Sequence, residues 1–356
     1  MTVYSKINPE SKTSRLKYLY IVAFLSGVVL WITSYGVPNI DVLESIKHIQ
    51  QSNDALCTIE SYNQGQWEYQ PNDINPLTET GVAQAAVLKM NTKKLADHLL
   101  EHPVLFVGDS ITQLQFESLG CLLGNHFPNR HPNTTVSNGG NSKIRVNQLA
   151  PVGSNQVALA YVRSDYLIRI DDYKLIEPFE KEGIVLGSGE NHPWVHAFPH
   201  FNYIVINTGP HWHPNLHWGP NASEEELLAA FEKSIKVIYD YLNTNIKSHQ
   251  KVWIRSTPYG HATCSKFKKP QENPLAPSGQ ENEYEWHLFE KFDALWKTIV
   301  KEGNNKHIEF LDISTLSNMR GDAHSRPDRD CLHTCLPGPV DDWNRLIYHE
   351  IFKSLD

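Results

Sequence analysis

Four short apolar segments constrain the fold of this chain more than any other feature of its sequence. Each is followed by polar or glycine residues, and they cover residues 104–107, 203–206, 252–255 and 308–311. Short apolar runs bounded in this way indicate buried β-strands. Helical patterns lie between them, and one begins with Ser223 and Glu226 at the spacing of a capping box. Alternating strands and helices predict an α/β fold, a parallel sheet flanked by helices, with the site beyond the carboxyl ends of the strands.

The first motif that could take part in catalysis is Gly108-Asp109-Ser110, directly after the first predicted strand. Residues 111–123 then have a helical pattern, so Ser110 would lie at a strand-to-helix turn. There its hydroxyl would be exposed, and the N–H groups of the helix N-terminus could stabilise a developing negative charge. The alternative is that Ser110 only caps the helix.

A serine hydroxyl is a poor nucleophile without a base, and a second motif offers one. Asp330 and His333 are separated by three positions, just before Pro337-Gly338 and a last helical pattern. On a tight turn, the Asp330 carboxylate could contact one ring nitrogen of His333 and leave the other for Ser110. We therefore predict a catalytic triad of Ser110, His333 and Asp330, with a chance surface motif as the alternative.

An oxyanion hole needs hydrogen-bond donors near the serine. Asn207 follows the second predicted strand and could donate its side-chain amide, while Gly139 or Gly140 could donate a backbone N–H. Ser110 itself, at the helix start, could contribute as well. The alternative for each is an ordinary turn residue.

Two groups of residues raise a metal site as an alternative. Cys331 and Cys335 lie close in sequence, but there is no second close cysteine pair. His211, His213 and His217 lack an acidic partner. We therefore predict that the protein holds no metal.

The N-terminal region predicts a membrane anchor. Residues 16–35 carry no charge apart from Lys17 and reach the length of about 20 residues that a membrane-spanning helix needs. Basic residues precede this segment and acidic residues follow it, which predicts a cytosolic N-terminus. We expect a cytosolic tail at 1–17, a transmembrane signal anchor at 18–35, a stem at 36–55 and a lumenal catalytic domain at 56–356. A cleaved signal peptide is the alternative, although no small-residue cleavage site follows.

Other features favour a lumenal domain. Asn133 and Asn221 begin sequons for N-glycosylation. In an oxidising compartment, four of the five cysteines could form two disulfides. The net charge of −8, without a long basic run, argues against nucleic acid as a partner.

Taken in order, these motifs resemble the SGNH, or GDSL-like, hydrolases. Within them the chain is most similar to the PC-esterase branch, which includes the plant trichome birefringence-like polysaccharide O-acetyltransferases. The resemblance runs from about Cys57 to the C-terminus, through blocks at residues 107–110, 163–167, 205–212 and 330–338. It departs from the family pattern at Gln113-Leu114, where an arginine-asparagine pair is usual, and the cysteine-rich amino-terminal half of the plant domain is mostly missing.

The resemblance implies a three-layer, flavodoxin-like SGNH fold and an O-acetyltransferase that works through an acyl-serine on Ser110. A carbohydrate acetyl esterase and a catalytically silent carbohydrate-binding protein are the alternatives. It also implies a polysaccharide or oligosaccharide acceptor, no bound cofactor, and acetyl-CoA or another acetylated molecule as donor. A multi-pass membrane protein could supply that donor, and the location implied is the Golgi or endoplasmic reticulum membrane, as a single-pass type II protein.

Site residues are implied by the same resemblance. The substrate-binding candidates are Asp109, Arg163, His211 and Trp212. The disulfides implied are Cys264–Cys331 and Cys57–Cys335, and Cys121 is the other candidate partner of Cys57.

Overall fold

The computed structural model describes residues 67–68, 82–83, 90–123, 129–137, 143–150, 158–175, 194–214, 219–277, 285–353 and 355. All of them belong to one unit, Leu56–Asp356. The predicted tail, anchor and stem at residues 1–55 lie outside the described residues, as do Cys57, Gly139 and Gly140. Within the described ranges, no helix is both long and apolar enough to cross a bilayer.

The strands, in chain order, are β1 (Trp67–Glu68), β2 (Val82–Ala83), β3 (Val104–Gly108), β4 (Asn129–Ser137), β5 (Lys143–Ala150), β6 (Leu159–Arg163), β7 (Tyr203–Ile206), β8 (Lys251–Arg255), β9 (Ile308–Leu311), β10 (His324–Arg326) and β11 (Asp330–Thr334). The α-helices are α1 (Thr92–Glu101), α2 (Ser110–Leu123), α3 (Trp194–Ala197), α4 (Glu224–Asn245), α5 (Phe289–Gly303), α6 (Ser314–Ser317) and α7 (Pro339–Lys353).

A five-stranded parallel sheet in the order β6-β3-β7-β8-β9 forms the centre of the domain. The parallel α/β fold predicted from the sequence is therefore confirmed. The chain passes from β3 to one neighbour, β6, and then crosses to the other side of β3, which is the doubly wound strand order 2-1-3-4-5. Because crossovers between parallel strands are right-handed, this reversal places α2 on one face of the sheet and α4 and α5 on the other.

The apolar core lies between the sheet and these helices. Every residue of β3 and β7 is buried, as parallel strands covered on both faces require. The predicted capping box of α4 is confirmed, because the Ser223 hydroxyl accepts from the Glu226 N–H at 3.2 Å and the Glu226 carboxylate accepts from the Ser223 N–H at 3.1 Å. Helices α1 and α7 both pack against α2.

One strand of the sheet was not predicted. The edge strand β6 (Leu159–Arg163) pairs with β3 over its whole length, and its last residue, Arg163, lies beside Gly108. The carboxyl ends of β3, β6 and β7 therefore meet at one edge of the sheet, where a doubly wound fold places its ligands.

Candidate active site

Ser110 is presented by a sharp turn between β3 and α2. Gly108 ends β3 with φ of +155°, and a Cβ atom at this position would lie 2.4 Å from the Thr112 hydroxyl and 2.7 Å from the Asn207 carbonyl oxygen. Only glycine fits so close an approach. The turn makes Ser110 the first residue of α2, with a partly exposed side chain.

The side chain of Asp109 stabilises this turn. Its side chain is fully buried, and its Oδ1 accepts from the N–H groups of Ile111 at 2.9 Å and Thr112 at 3.4 Å. These are donors that the first turn of a helix leaves without intrahelical partners, so Asp109 is the N-cap. The helix start covers its carboxylate completely, and a contact of Asp109 with substrate stays a prediction.

His333 joins the two motifs. Its Nε2 lies 2.8 Å from the Ser110 Oγ, and its Nδ1 lies 2.9 Å from the Asp330 Oδ2. A carboxylate only accepts, so Nδ1–H donates to Asp330 and Nε2 is the nitrogen that accepts from the Ser110 hydroxyl. The three side chains thus form the contacts of a serine–histidine–carboxylate arrangement.

The second oxygen of Asp330 orders the backbone around the histidine. Oδ1 accepts from the N–H groups of Leu332 and His333, both at 3.0 Å. Burial alone would raise the pKa of Asp330, but these two N–H groups and the His333 ring outweigh burial and hold the pKa below its ordinary value. The carboxylate is therefore ionised when His333 needs a partner for a positive charge.

The base and its carboxylate lie on a β-hairpin and not on the tight turn that we expected. Strand β11 carries both residues and pairs antiparallel with β10. The predicted disulfide Cys264–Cys331 is present and joins β11 to the short 3₁₀-helix Cys264–Lys266 that follows β8. His333 is therefore held by a hairpin partner, a covalent cross-link and the Asp330 carboxylate.

A buried arginine, which the sequence analysis missed, supports the start of α2. Arg255 ends β8, is fully buried, and donates to the Thr112 hydroxyl at 3.1 Å and the Ser256 carbonyl at 2.9 Å. Its guanidinium lies 5.0 Å from the ring centroid of Trp343. Burial lowers the pKa of Arg255 to about 10, and the nearby Asp109 opposes that shift. A charged residue at the end of an apolar strand is the signal that could have identified it.

Asn207 lies beside the serine turn, but its amide faces elsewhere. Its backbone N–H donates to the Val107 carbonyl at 3.0 Å. Its Nδ2 donates to the Arg255 carbonyl at 2.9 Å and to the Thr257 hydroxyl at 2.8 Å. Both amide hydrogens are thus committed in this arrangement, and a role for Asn207 in an oxyanion hole stays a prediction.

Arg163 and His211 lie on a cluster that borders the Asp109 turn. Arg163 forms a two-pronged ion pair with the buried Asp165, at 3.0 and 3.2 Å, and the His211 Nε2 lies 3.8 Å from the same carboxylate. Both side chains are half-buried and keep a solvent-facing part. Trp212, in contrast, is fully buried, and its indole N–H donates to the Thr208 hydroxyl at 2.9 Å. Its ring packs against Phe231 in the core, and a contact of Trp212 with substrate stays a prediction.

A cavity of about 600 Å³ opens beside His333. It lies between residues 262–266 and 327–333, and Lys266 and Arg329 are among the residues that line it. The cavity gives the hairpin face of the histidine a solvent-accessible space large enough for a sugar residue.

The sequence matches a known protein family. A model of the PC-Esterase family, described as a GDSL/SGNH-like acyl-esterase family found in Pmr5 and Cas1p, matches residues 88–350. That range includes the serine turn, β11 and most of α7. The chain belongs to the PC-esterase family.

Three of the relatives that the chain resembles are plant proteins. Protein trichome birefringence-like 25 of Arabidopsis thaliana is 23% identical, over 85% of this chain and 71% of that protein. Xyloglucan O-acetyltransferase 1 of Arabidopsis thaliana is 23% identical, over 79% of this chain and 69% of that protein. Xylan O-acetyltransferase 12 of Oryza sativa subsp. japonica is 21% identical, over 79% of this chain and 60% of that protein.

The cysteines of this PC-esterase domain differ in part from the expectation. Cys335 is a free thiol in the structure, whereas we expected it in a disulfide. Its Sγ donates to the Pro337 carbonyl at 3.4 Å, and its expected partner Cys57 lies outside the described residues. The zinc alternative at Cys331 and Cys335 is wrong, because a disulfide-bonded sulfur is no thiolate ligand.

Among the residues that the structure describes, one group could in principle hold a metal ion. Atoms of Glu224, Glu285 and His287 lie within 4.8 Å of one another. Lys291 already lies 3.7 Å from the Glu224 carboxylate. This group belongs to α4 and the segment before α5, and shares no residue with the Ser110 site. His217, part of the histidine alternative, lies outside the described residues.

Proposed function

We propose that this chain transfers acetyl groups from an acetylated donor to hydroxyls of a polysaccharide, through Ser110, His333 and Asp330. The observation that carries the proposal is the pair of contacts made by His333, at 2.8 Å to Ser110 and 2.9 Å to Asp330. Membership of the PC-esterase family, and relatives named as xyloglucan and xylan O-acetyltransferases, support the reaction class.

The first half-reaction forms an acyl-serine. His333 Nε2 takes the proton of the Ser110 hydroxyl as Oγ attacks the acetyl carbonyl carbon of the donor. The resulting oxyanion lies near the start of α2, where the Ser110 N–H and the helix dipole can stabilise it. The imidazolium then gives its proton to the leaving group, and Asp330 stabilises the positive charge on the ring throughout.

The second half-reaction uses the same base in reverse. An acceptor hydroxyl gives its proton to His333 Nε2 and attacks the acetyl-serine, and the acetyl ester of the sugar leaves as Ser110 regains its proton. The cavity beside His333 is the proposed place for the acceptor sugar, with Arg163 and His211 as further candidate contacts. The donor is acetyl-CoA or another acetylated molecule, and a multi-pass membrane protein that delivers acetyl groups is a proposed partner.

An acetyl esterase is the second candidate, favoured by the description of the family as acyl-esterases. The two reactions share the first half and differ only in whether water or a sugar hydroxyl attacks the acyl-serine. A catalytically silent binding protein would carry out neither half-reaction.

We also propose the cellular setting. The expected anchor at residues 18–35 would make the chain a single-pass type II protein of the Golgi or endoplasmic reticulum membrane, with a lumenal catalytic domain. The Cys264–Cys331 disulfide supports an oxidising compartment. Asn221 is exposed, as a glycosylation site must be, while the side chain of Asn133 lies outside the described set.

The test is acetyl transfer by the purified full-length chain. The chain is incubated with acetyl-CoA, or with an acetylated aryl ester as a general donor, together with xylan or xyloglucan oligosaccharides. Mass spectrometry then measures acetylated oligosaccharide and free acetate. We expect acetylated oligosaccharide from the wild type and from Ser248→Ala, an exposed serine outside the site, and none from Ser110→Ala.

Three outcomes would change the proposal. Acetate release without sugar acetylation would assign an esterase. A folded Ser110→Ala chain with wild-type activity would overturn the role of the serine. A wild type that binds oligosaccharide and turns over neither donor would assign a silent binding protein.

A further inference from the structure

Two buried histidines lie directly behind the proposed base. His261 follows β8 and His324 begins β10, and both are at least nine-tenths buried. The His261 Nδ1 lies 2.7 Å from the His324 Nε2. At the outer ends of the pair, the His324 Nδ1 lies 3.2 Å from the His333 carbonyl oxygen, and the His261 Nε2 lies 3.1 Å from the Asn318 carbonyl oxygen.

The number of hydrogens decides how this chain of contacts can work. A carbonyl oxygen only accepts, so each of the two carbonyls needs an N–H from the ring that faces it. The contact between the rings needs a third N–H. Two neutral imidazoles carry only two, whereas an imidazole and an imidazolium together carry three. All three contacts are hydrogen bonds only when the pair holds one additional proton.

Without that proton, one of the three contacts has no hydrogen. The contact between the rings is the shortest, at 2.7 Å, and the contact from His324 to His333 is the longest, at 3.2 Å. The neutral arrangement that keeps the two shorter contacts retains the ring-to-ring bond and the bond to Asn318. It leaves the His324 Nδ1 lone pair facing the carbonyl oxygen of His333, a repulsive contact. Adding a proton at Nδ1 turns that repulsion into a hydrogen bond.

Some groups around the pair favour binding of the additional proton, and others oppose it. Burial lowers the pKa of His261 to about 4, and Arg320, on the turn between α6 and β10, acts in the same direction. Burial also lowers the pKa of His324, while the carboxylates of Asp330 and Asp322 raise it and the His333 ring lowers it.

Two further contacts define this environment. Arg320 is itself paired with Asp322, at 2.8 Å. Tyr259, whose ring packs edge-on against His261, is neutral because burial raises its pKa to about 12. The pair therefore takes up its proton on the acid side of an ordinary histidine, and the bond to His333 is lost as the pH rises through that range.

The pair is attached to β11 firmly enough to transmit this change. The backbone N–H of His261 donates to the Cys331 carbonyl at 2.9 Å. Cys264, three positions later, is bonded to Cys331 itself. His324 pairs with Thr334 in the hairpin. Residues on both sides of His333, Cys331 and Thr334, are held by these contacts. The contact between the His324 Nδ1 and the His333 carbonyl oxygen is therefore the one that responds to the proton.

We propose that His324 is a positioning residue for His333, and that one proton shared by the His261–His324 pair completes the hydrogen bond that fixes the backbone of the base. The proposal rests on the proposed function for its kinetic consequence, but the shared proton itself does not depend on any activity.

Nuclear magnetic resonance of the full-length chain labelled with ¹⁵N at histidine tests the proton directly. We expect one proton uptake that shifts the His261 and His324 ring nitrogens together, with a new hydrogen-bonded N–H on the His324 Nδ1 in the acid form. His324→Gln and His261→Gln assign the signals, since each removes one ring. Two independent titrations, or a His324 Nδ1 that carries hydrogen throughout the pH range, would overturn the shared proton even if the chain is an active transferase.

Kinetics of acetyl transfer test the positioning role. A glutamine at position 324 carries an amide donor that does not titrate, whereas phenylalanine carries none. In the acid range, where the wild-type pair holds its additional proton, we expect His324→Phe to lower kcat about tenfold with an unchanged KM, since small displacements of a base are costly. We expect His324→Gln to retain kcat and to exceed the wild type increasingly as the pH rises from about 4 to the ordinary histidine value of about 6.5.

The matched control is His307→Gln. His307 is half-buried, and its ring also contacts a backbone carbonyl, that of Gln250 at 3.0 Å, but it lies next to the amino end of β9. The His307→Gln variant should follow the wild-type pH profile of kcat. Parallel pH profiles of wild type and His324→Gln would overturn the positioning role. Inactivity of the wild type in every assay would instead count against the proposed function, and the resonance titration would still decide the shared proton.

Discussion

Ser110 and His333 are separated by 223 residues, yet the Oγ of one lies 2.8 Å from the Nε2 of the other. Different parts of the fold place them. The serine is fixed by the end of a central strand and the start of α2, and the histidine by a hairpin that is cross-linked to the segment after β8. A change in either support should therefore alter the site without unfolding the sheet.

Asp330→Asn tests the orientation of the base. An asparagine at this position can present its amide N–H₂ to the Nδ1 of His333 and favour the wrong tautomer, so the nitrogen facing Ser110 would carry a hydrogen. We expect kcat to fall by about 10⁴, as the loss of a triad carboxylate typically causes. Steady-state kinetics of acetyl transfer measure it, with Asp240→Asn, an exposed residue of α4, as the control. Normal turnover by folded Asp330→Asn would contradict the triad.

The stability of the chain should respond to the same carboxylate. The pKa of Asp330 is held below its ordinary value in the folded state, so its ionised form favours folding. That contribution is complete above the unfolded-state pKa of about 4 and is lost as the pH falls towards the folded-state value. Urea unfolding of wild type and Asp330→Asn should show a difference in unfolding free energy that shrinks between pH of about 5 and about 3. A difference that stays constant over this range would contradict the assignment.

Particular residues show how far the sequence could predict this site. Local patterns suffice to predict the parallel sheet and its functional edge. They are the four apolar strands, the motif at Ser110 and the motif of Asp330 and His333. The pair His261 and His324 could not be found in this way, because 63 residues separate two histidines that meet only after folding. Strand β6 was missed although residues 157–162 form an apolar run, so the same local pattern could have predicted it.

Burial separates Asp109 and Trp212 from the other two substrate-binding candidates, Arg163 and His211, which are partly exposed. Asp109 and Trp212 occur in the family motifs beside residues that could react, and a motif does not tell which face a side chain occupies. In the structure, the Asp109 carboxylate caps the start of α2 and the Trp212 ring lies in the core. A polar or aromatic residue next to a nucleophile is thus often a support of the turn rather than a contact with substrate.

Gly108→Ala tests the turn that presents the serine. An added Cβ would meet the Thr112 hydroxyl at 2.4 Å and the Asn207 carbonyl at 2.7 Å, and the backbone there has φ of +155°. We expect the turn to shift, with a loss of unfolding free energy of about 1–3 kcal/mol and a fall in kcat of about 100-fold. Gly120→Ala, within α2, is the control, because alanine is the better helix former there. Wild-type kcat in Gly108→Ala would show that the close approach does not matter.

The last prediction concerns the cross-link beneath the base. The Cys264–Cys331 disulfide closes a separation of 67 residues, and Cys331 lies two positions before His333. The double variant Cys264→Ser/Cys331→Ser should lose about 2–4 kcal/mol of unfolding free energy, because the cross-link restricts the unfolded chain. It should also lose kcat more than KM, because β11 then has only β10 and backbone hydrogen bonds to hold it. Calorimetry and acetyl-transfer kinetics measure the two effects, with Cys335→Ser as the control for a thiol on the same segment. Peptide mapping without reductant should recover Cys264 linked to Cys331 and an alkylated Cys335. A Cys331–Cys335 linkage, or a double variant with unchanged kcat, would refute the role of the cross-link in holding His333.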